Sequence, residues 1–207
     1  MTQSPGSDLG TEWDERYSAW AADIPDVRPS AVLIDVAGRL GPGRALDIGC
    51  GIGAEAVWLA ENGWEVVGLD VSQVALDRAE ARARDAGVEV SWVCAPLEDL
   101  ELPDIGFDLV SAHYPALLHA PDDRAAQALL AAVSPGGTLL VVHHADVDVE
   151  KAKSYGFDPA DYLSHEDVVA MLGADWDVEV ARRRLRDVPA GIEGQHTHDD
   201  VIVARRR

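Results

Sequence analysis

Three glycines at alternate positions, Gly49, Gly51 and Gly53, follow an acidic residue, Asp47, that lies in a short apolar run. Glycine has no Cβ, so its backbone can turn sharply and approach a ligand closely. A second acid, Asp70, ends the next apolar run of the chain. A carboxylate at the carboxyl end of a strand can accept hydrogen bonds from both hydroxyls of a ribose. These residue types and spacings predict a nucleotide-binding turn.

Asp47 distinguishes between two kinds of nucleotide ligand. A dinucleotide places its pyrophosphate at the N-terminus of the helix after such a turn, where a nearby carboxylate repels it. S-adenosylmethionine has no phosphate and carries an ammonium and a sulfonium, so Asp47 favours it. The spacing Gly51-x-Gly53-x-x-Ala56 also fits the relaxed dinucleotide fingerprint. A nicotinamide-dependent oxidoreductase therefore remains an alternative, as does a turn without any ligand.

The elements that must position these residues follow from the apolar pattern. A strand, the glycine turn, a helix ended by Asn62 and Gly63 and a second strand form one half of a doubly wound nucleotide-binding sheet. The last two strands are too close in sequence for a crossover helix, so they must pair antiparallel. The sequence thus predicts an α/β fold with a doubly wound, mostly parallel seven-stranded sheet and a terminal antiparallel strand. The predicted strands are residues 45–48, 65–69, 88–94, 107–112, 138–143, 176–185 and 200–204.

The segment LDIGCGIG, followed by VVGLDVS, resembles the first two motifs of class I S-adenosylmethionine-dependent methyltransferases. The segments FDLVSAHYPALLH and LLAAVSPGGTLLVVHH extend the resemblance, which covers residues 44–144. It implies a Rossmann-like methyltransferase fold, S-adenosylmethionine as cofactor and transfer of its methyl group to a small-molecule nucleophile by in-line displacement. A non-enzymatic protein that binds S-adenosylmethionine is the second alternative.

The resemblance also implies which residues bind the cofactor. Many relatives carry an Asp at the position of Pro96, where it receives the adenine amino group, and this chain lacks that acid. The backbone around Leu97 is expected to contact the adenine instead, with Glu98 or Asp99 as substitutes for the missing carboxylate. The cofactor-binding residues implied in the core of the fold are Asp47, Gly49, Cys50, Gly51, Gly53, Asp70, Val71, Pro96, Leu97 and His113.

A helix with one aromatic face is predicted before the first strand. Trp13, Tyr17 and Trp20 are spaced by four and three residues, which places them on the same side of a helix. A second helix follows it. These helices, within residues 11–40, are either a lid that excludes water from the active site or a plain cover for the sheet edge.

The segment WDERY, at residues 13–17, resembles the start of the small thiopurine- and tellurite-resistance-type methyltransferases. In those proteins this segment closes over the cofactor. The resemblance implies that Arg16 or Tyr17 reaches the methionine carboxylate of S-adenosylmethionine.

Histidines concentrate where the predicted fold places ligands: His113, His119, His143, His144, His196 and His198. In one interpretation they pair with backbone groups or with acids such as Asp146, Asp199 and Asp200 on a solvated rim. In a second, one or two contact the substrate or take its proton, and the catalytic candidates are His113, Tyr114 and His144. In a third, His144, His196 and His198 bind a metal together with an acid. The pattern His-x-His alone is weak, so no metal site is predicted.

Composition limits the classes of partner. The formal net charge of −20, from 37 acids and 17 bases, repels nucleic-acid phosphates and anionic lipids. A small-molecule substrate is therefore expected, with neither nucleic acid nor membrane as partner. No apolar run is long enough to span a bilayer, and the N-terminus has no signal-peptide core, which predicts a soluble cytoplasmic protein.

The length of 207 residues and an apolar fraction of 47% suit one domain with a substantial core. Residues 1–10 are predicted to be a disordered tail, and residues 11–207 a single methyltransferase domain that includes the lid helices. Cys50 and Cys94 are expected to be reduced and buried. Neither the methyl acceptor nor the oligomeric state follows from these residues.

Overall fold

The strands form one seven-stranded sheet in the order β3-β2-β1-β4-β5-β7-β6 within the part of the chain described here. The structure is a computed structural model, and it describes residues 5–20, 28–103, 105–120, 122–154, 156–185 and 197–207. Strand β7 is antiparallel to both of its neighbours, and the other neighbouring strands are parallel. The predicted sheet is thereby confirmed. The strands are β1 Arg44–Ile48, β2 Glu65–Asp70, β3 Ser91–Cys94, β4 Phe107–His113, β5 Val133–His144, β6 Trp176–Leu185 and β7 His198–Arg206.

Capping residues set several helix boundaries where the sequence predicts them. The Ser72 hydroxyl accepts a hydrogen bond from the Ala75 amide at the start of α4, and Gly87 ends that helix in a left-handed conformation. Ser164 and Asp167 form a capping box at the start of α7. Among the described residues no helix is long and apolar enough to cross a bilayer. The helices are α1 Pro5–Ala19, α2 Ala31–Ala37, α3 Ala54–Glu61, α4 Gln73–Ala86, α5 Arg124–Ala131, α6 Val149–Ser154 and α7 His165–Met171.

The N-terminal segment differs from the sequence prediction. Helix α1 begins at Pro5, so residues 5–10 are helical where a disordered tail was predicted. Proline is favoured in the first turn of a helix because its missing N–H has no intrahelical partner to lose. Residues 1–4 of the predicted tail and 21–27 of the predicted lid segment lie outside the described residues.

Cys50 is buried as predicted, but Cys94 is exposed and the prediction that it is buried was wrong. The reason is that Cys94 ends β3, which is the edge strand of the sheet, so only one side of that strand is covered by a neighbour. The residues between β5 and α7 also contain helix α6, although an irregular connection was predicted there.

The sheet separates two apolar layers, because successive side chains of a strand point to opposite faces. We call the side covered by α2 and α3 the first face and the side covered by α5 and α7 the second face. Buried residues of the first face include Leu33, Leu59, Leu109, Leu140 and Val201. Those of the second face include Leu129, Leu139, Val141, Val168 and Ile202. The same alternation decides which side chains meet where the strands end.

Because of this alternation, the two adjacent histidines at the end of β5, His143 and His144, lie on opposite faces of the sheet. His143 continues the second face, where its ring lies 6.4 Å from that of His165 on α7. Burial, followed by the charge of the neighbouring His165 imidazole, lowers the pKa of His143 to about 4. His143 is therefore neutral at pH 7 and belongs to the packing of α7 against the sheet.

We expect His143 to make the fold less stable in mild acid. Between pH 6.5 and 4 the unfolded chain binds a proton at this imidazole that the folded chain does not, so the free energy of unfolding falls as the pH is lowered through this window, by at most about 3 kcal/mol. His143→Leu should remove this part of the pH dependence. Urea unfolding of both proteins at pH 7 and pH 4.5 measures it, and identical losses of stability in the two proteins would contradict the assignment.

Candidate active site

The glycine turn between β1 and α3 needs its glycines for two separate reasons. Gly49, Gly51 and Gly53 have φ angles of 65°, 52° and 78°, in the left-handed region that glycine adopts without strain. At Gly53 a Cβ would also lie 2.9 Å from both the Ala79 methyl and the Trp92 ring. The third glycine therefore lets α3 start against α4 and β3, whereas the first two shape the turn itself.

Asp70 ties the glycine turn to the end of β2. Its Oδ2 accepts a hydrogen bond of 2.8 Å from the Gly51 amide, and its Oδ1 accepts one of 2.9 Å from the Ser72 amide. Burial raises the pKa of Asp70, although these amides oppose the shift. Each carboxylate oxygen has a second lone pair, so Asp70 can still accept hydrogen bonds from ribose hydroxyls. Val71 follows at the strand tip, where its carbonyl lies 3.5 Å from the Cys94 sulfur.

Asp47 lies under the turn on the first face and is 2% exposed. Burial raises its pKa well above the ordinary value, and the carboxylates of Glu55 and Asp70 raise it further, while hydrogen bonds from the Ala56 amide and the Ser111 hydroxyl oppose the shift. Its Oδ2 is buried without a hydrogen-bond partner among the described residues. A cation beside these three acids would be stabilised, and a phosphate would be repelled.

Cys50 occupies the turn with a buried side chain. Its amide donates to the Leu69 carbonyl at 3.0 Å, which anchors the turn to β2. Burial raises the pKa of the thiol, as do the neighbouring carboxylates of Asp47 and Asp70. Cys50 is therefore a neutral packing residue.

Helix α1 docks over this half of the site. The Asp14 carboxylate accepts hydrogen bonds from the Ser72 hydroxyl at 2.6 Å and from the Val74 amide at 3.1 Å, at the N-terminus of α4. Arg78 on α4 donates to the Tyr17 carbonyl at 2.9 Å. These contacts position the aromatic face of α1 against the strand tips.

Tyr17 lies directly on the glycine turn. Its hydroxyl would be 2.8 Å from a Cβ at Gly51, and burial, followed by the charge of Asp70, raises its pKa. The rings of Trp13 and Trp20 lie 6.0 and 5.5 Å from that of Tyr17. The predicted aromatic face is therefore present, and Tyr17 is its member at the candidate cofactor site.

Arg16 points elsewhere. Its guanidinium lies 2.5 Å from the Glu12 carboxylate, 3.3 Å from the Gly156 carbonyl and 5.0 Å from the centre of the Trp13 ring. Consecutive helical residues point about 100° apart, so Arg16 faces the segment after α6 when Tyr17 faces the turn. Of the two residues expected at the methionine carboxylate, only Tyr17 contacts the glycine turn in the structure.

The predicted adenine side is formed by residues after β3. Pro96 precedes a short 3₁₀ turn, Leu97–Asp99, and the Leu97 side chain is buried in the second-face layer. Leu97 can therefore offer only its backbone to an adenine. Glu98 and Asp99 are exposed.

The other half of the site lies at the ends of β4 and β5, again on the first face. Nδ1 of His113 lies 3.1 Å from the Ser111 hydroxyl. Burial lowers the pKa of His113, although Glu55 and Asp199 oppose the shift, so the imidazole is neutral at pH 7. Tyr114 follows His113, and its ring stacks on His144 with 3.9 Å between ring centres. The three predicted catalytic residues are therefore brought together.

The remaining histidines do not join this group. His143 lies on the second face, Nε2 of His119 lies 3.3 Å from the Asp167 carboxylate, and Nδ1 of His198 lies 2.9 Å from the Thr197 hydroxyl. His196 lies outside the described residues. No group of three or more potential ligands among the residues that are described could hold a metal ion.

Two site residues were missed by sequence reasoning. Glu55 was regarded only as part of a helix, yet it faces Asp47 and His113 and accepts a hydrogen bond from the Ser30 amide at 3.1 Å. Asp14 was missed because its role depends on how α1 docks. The sequence does contain a signal that Glu55 is a site residue. It lies two residues after Gly53, and the first turn of this helix starts at the glycine turn.

Comparison with known proteins finds relatives that are named methyltransferases. Residues 45–137 match the family model described as a methyltransferase domain. An uncharacterized methyltransferase of Mycobacterium bovis is 40% identical over 111 residues, which are 53% of this chain and 55% of that protein. A ubiquinone biosynthesis O-methyltransferase of Bordetella bronchiseptica is 33% identical over 151 residues, 66% of this chain and 62% of that protein. The chain thus matches little more than half the length of these relatives.

Solved structures agree in fold. One of them comes from work on the conversion of a disulfide bond into a thioacetal group during echinomycin biosynthesis. It has a TM-score of 0.75 and is 24% identical, over 96% of this chain and 92% of that chain. The N-methyltransferase NodS from Bradyrhizobium japonicum, in complex with S-adenosylhomocysteine, has a TM-score of 0.70 and 19% identity over 93% of this chain and 97% of that chain.

The fold is the one predicted from the sequence, that of S-adenosylmethionine-dependent methyltransferase structures. Within it, residues 45–137 match a methyltransferase domain. S-adenosylmethionine is the cofactor of this class. The narrower resemblance to the thiopurine and tellurite type stays a prediction.

The glycine turn offers a matched test of its two constraints. Gly49→Ala and Gly53→Ala both place a methyl group on left-handed backbone, but the added Cβ meets nothing within 4 Å at Gly49 and two neighbours at 2.9 Å at Gly53. We expect Gly53→Ala to lower the free energy of unfolding by about 1–3 kcal/mol more than Gly49→Ala. Urea unfolding of both variants measures the difference, and equal losses would show that the packing of α3 does not require Gly53.

Proposed function

We propose that this protein binds S-adenosylmethionine at the glycine turn and transfers its methyl group to a small-molecule nucleophile. The observation that carries the proposal is the group of acids at the turn, Asp47, Glu55 and Asp70, in which the last two lie close enough to Asp47 to raise its pKa. A cofactor with a ribose, an ammonium and a sulfonium suits this arrangement, and one with a pyrophosphate does not.

The chain's own residues have separate roles in this proposal. Asp70 accepts the ribose hydroxyls, Gly49, Gly51 and Gly53 let the backbone approach the methionine part, and Asp47 stabilises its positive charge. The adenine lies along the backbone at Pro96 and Leu97, beside Val71. We propose Tyr17, Cys50 and His113 as further cofactor contacts. Arg16, the alternative to Tyr17 at the methionine carboxylate, faces the segment after α6 instead.

The reaction itself makes limited demands on the protein. The sulfonium is already an activated methyl donor, so the site mainly aligns the nucleophile, methyl carbon and leaving sulfur in one line and excludes water. His113, Tyr114 and His144 adjoin the site beyond Asp47, where the first face continues. We assign the acceptor to this wall.

The two alternatives explain less of the geometry. A nicotinamide dinucleotide would place two phosphates beside Asp47 and Glu55. The cluster of His113, Tyr114 and His144 lies outside the cofactor half of the site. In a protein that only binds S-adenosylmethionine, this cluster would have no role.

The acceptor is proposed to be a small molecule, and the net charge of −20 supports this by disfavouring nucleic acid. Relatives named O-methyltransferases and an N-methyltransferase occur among the similar proteins, so oxygen and nitrogen acceptors are both represented. The cytoplasmic location stays a prediction.

We further propose that helix α1 is a lid over the cofactor site. It contacts the turn through Tyr17 and contacts the segment after α6 through Arg16, so it connects the glycine turn to a segment that is distant in the sequence. Trp20 is 48% exposed, which leaves one member of the aromatic face free to gain cover when the lid closes on a ligand.

Cofactor binding tests the proposal most simply. S-adenosylhomocysteine should bind in the micromolar range, about 8 kcal/mol, and Asp70→Ala should weaken it by roughly 1.5–3 kcal/mol through loss of charge-assisted hydrogen bonds. NADH should not bind measurably. Calorimetric titration gives all three values.

A matched control for Asp70→Ala is Asp108→Ala. Asp108 also accepts a hydrogen bond from a backbone amide, that of Arg44, but at the opposite end of the sheet. This variant should bind S-adenosylhomocysteine like the wild type. Tight NADH binding by the wild type, without any response to S-adenosylhomocysteine, would overturn the proposed function.

The lid has a separate test by hydrogen exchange. S-adenosylhomocysteine should slow amide exchange in residues 11–20, because a bound ligand adds contacts under Tyr17, while the central strands β1 and β4 change little. Equal exchange rates with and without the ligand would identify α1 as a plain cover of the sheet edge.

A further inference from the structure

Asp199 lies at the start of β7, directly opposite His144 in the register of β5 and β7. It is buried, with 6% of its surface exposed. Its Oδ2 accepts a hydrogen bond of 2.9 Å from the Tyr114 hydroxyl, and its Oδ1 lies 3.5 Å from Nδ1 of His144. One buried carboxylate thus accepts a hydrogen bond from Tyr114 and lies close to His144, two side chains that come from the ends of two different strands.

Tyr114 is the third residue of this cluster, and its backbone is strained. Its φ of 53° is a left-handed conformation that bulky residues rarely adopt. The Tyr114 amide donates to the Val142 carbonyl at 2.7 Å, and the ring planes of Tyr114 and His144 differ by only 19°. Such strain is concentrated at functional sites, where the surrounding structure maintains it.

We propose that His144, oriented by Asp199 and Tyr114, is the general base for an acceptor with a hydroxyl group, such as a phenol. This inference rests on the proposed function and names its acceptor class. A carboxylate facing Nδ1 favours the tautomer that carries its proton there, which makes Nε2 the basic nitrogen. His144 is the catalytic residue, and Asp199 and Tyr114 are positioning residues.

The proposed step transfers one methyl group and one proton. The acceptor oxygen forms a bond to the methyl carbon while the bond from that carbon to the sulfonium sulfur breaks, and the electron pair of the broken bond goes to sulfur. Nε2 of His144 takes the hydroxyl proton. The products are a methyl ether, S-adenosylhomocysteine and an imidazolium that then releases its proton to water.

The negative charges along the first face explain why the acceptor needs a base. Asp47, Glu55 and Asp199 lie along the first face, and they would repel an acceptor that arrived as an oxyanion. The acceptor therefore binds neutral and loses its proton in place. A thiol has a much lower pKa, so it depends far less on a base to lose its proton in place.

Several ionisable side chains surround the imidazole of His144. Tyr114 faces it after β4, and His113 lies beside Tyr114 with 6.4 Å between ring centres. Within β5 the neighbour is His143, whose low pKa owes part of its shift to His144. Asp199 contributes the negative charge from β7, preceded there by His198.

The imidazole titration of His144, followed by NMR in the full chain, tests the arrangement without any acceptor. Asp199→Asn removes the charge that stabilises the imidazolium, so the midpoint should move to lower pH by about one unit. Tyr114→Phe removes a donor from Asp199 and makes that carboxylate a stronger partner, so the midpoint should move to higher pH. The control Asp200→Asn alters a neighbouring acid paired with Arg183 and should leave the midpoint unchanged.

Phenol and thiophenol, tested as paired acceptor probes, add a kinetic readout. Asp199→Asn should lower methyl transfer to phenol by about 10²-fold and change transfer to thiophenol, which ionises unaided, by less than about threefold. Equal losses for both probes would overturn the inference, and so would a His144 midpoint that neither Asp199→Asn nor Tyr114→Phe moves. Both results leave the proposed function intact as long as the wild type binds S-adenosylhomocysteine.

Discussion

The Asp70 carboxylate connects the parts on which this site depends. Its two oxygens hold the Gly51 amide in the glycine turn and the Ser72 amide at the start of α4. The turn can then keep three residues in left-handed backbone, and α4 can present its N-terminus to Asp14 of α1. A single buried acid thereby sets the strand tip, the turn and the attachment of α1. Because it is buried, its loss would leave two backbone amides without their acceptor.

A second constraint is the alternation of side chains along the strands. It places Asp70, Asp47, His113, His144 and Asp199 on the first face, each at the carboxyl-terminal edge of the parallel strands. These residues lie far apart in the sequence, and only the strand order β2-β1-β4-β5-β7 makes them neighbours. The antiparallel direction of β7 is essential, since it brings the start of that strand to the edge where β5 ends. One edge of one face thus holds both halves of the site.

Much of the fold could be predicted because its signals are local. The glycine turn, the acid at the end of β2 and the caps at Ser72 and Ser164 depend on residues within a few positions of one another. The antiparallel end of the sheet followed from the short connection before the last strand. The predicted catalytic group of His113, Tyr114 and His144 is also close together in the structure.

The remaining features depend on tertiary contacts that the sequence pattern does not contain. The choice between His143 and His144 required the register of β5. The direction of Arg16 depends on the segment around Gly156, and the exposure of Cys94 on the position of β3 at the sheet edge. Asp199 was one acid among several near the histidines until the pairing of β5 with β7 placed it opposite His144.

The central claim is that the acidic edge of the first face binds S-adenosylmethionine with its reactive end toward the histidines. A crystal structure of the chain with S-adenosylhomocysteine tests this directly. We expect both ribose hydroxyls within hydrogen-bonding distance of the Asp70 carboxylate and the sulfur on the side of His113. A ligand bound with its ribose away from Asp70, or with its sulfur directed toward Leu97, would contradict the account.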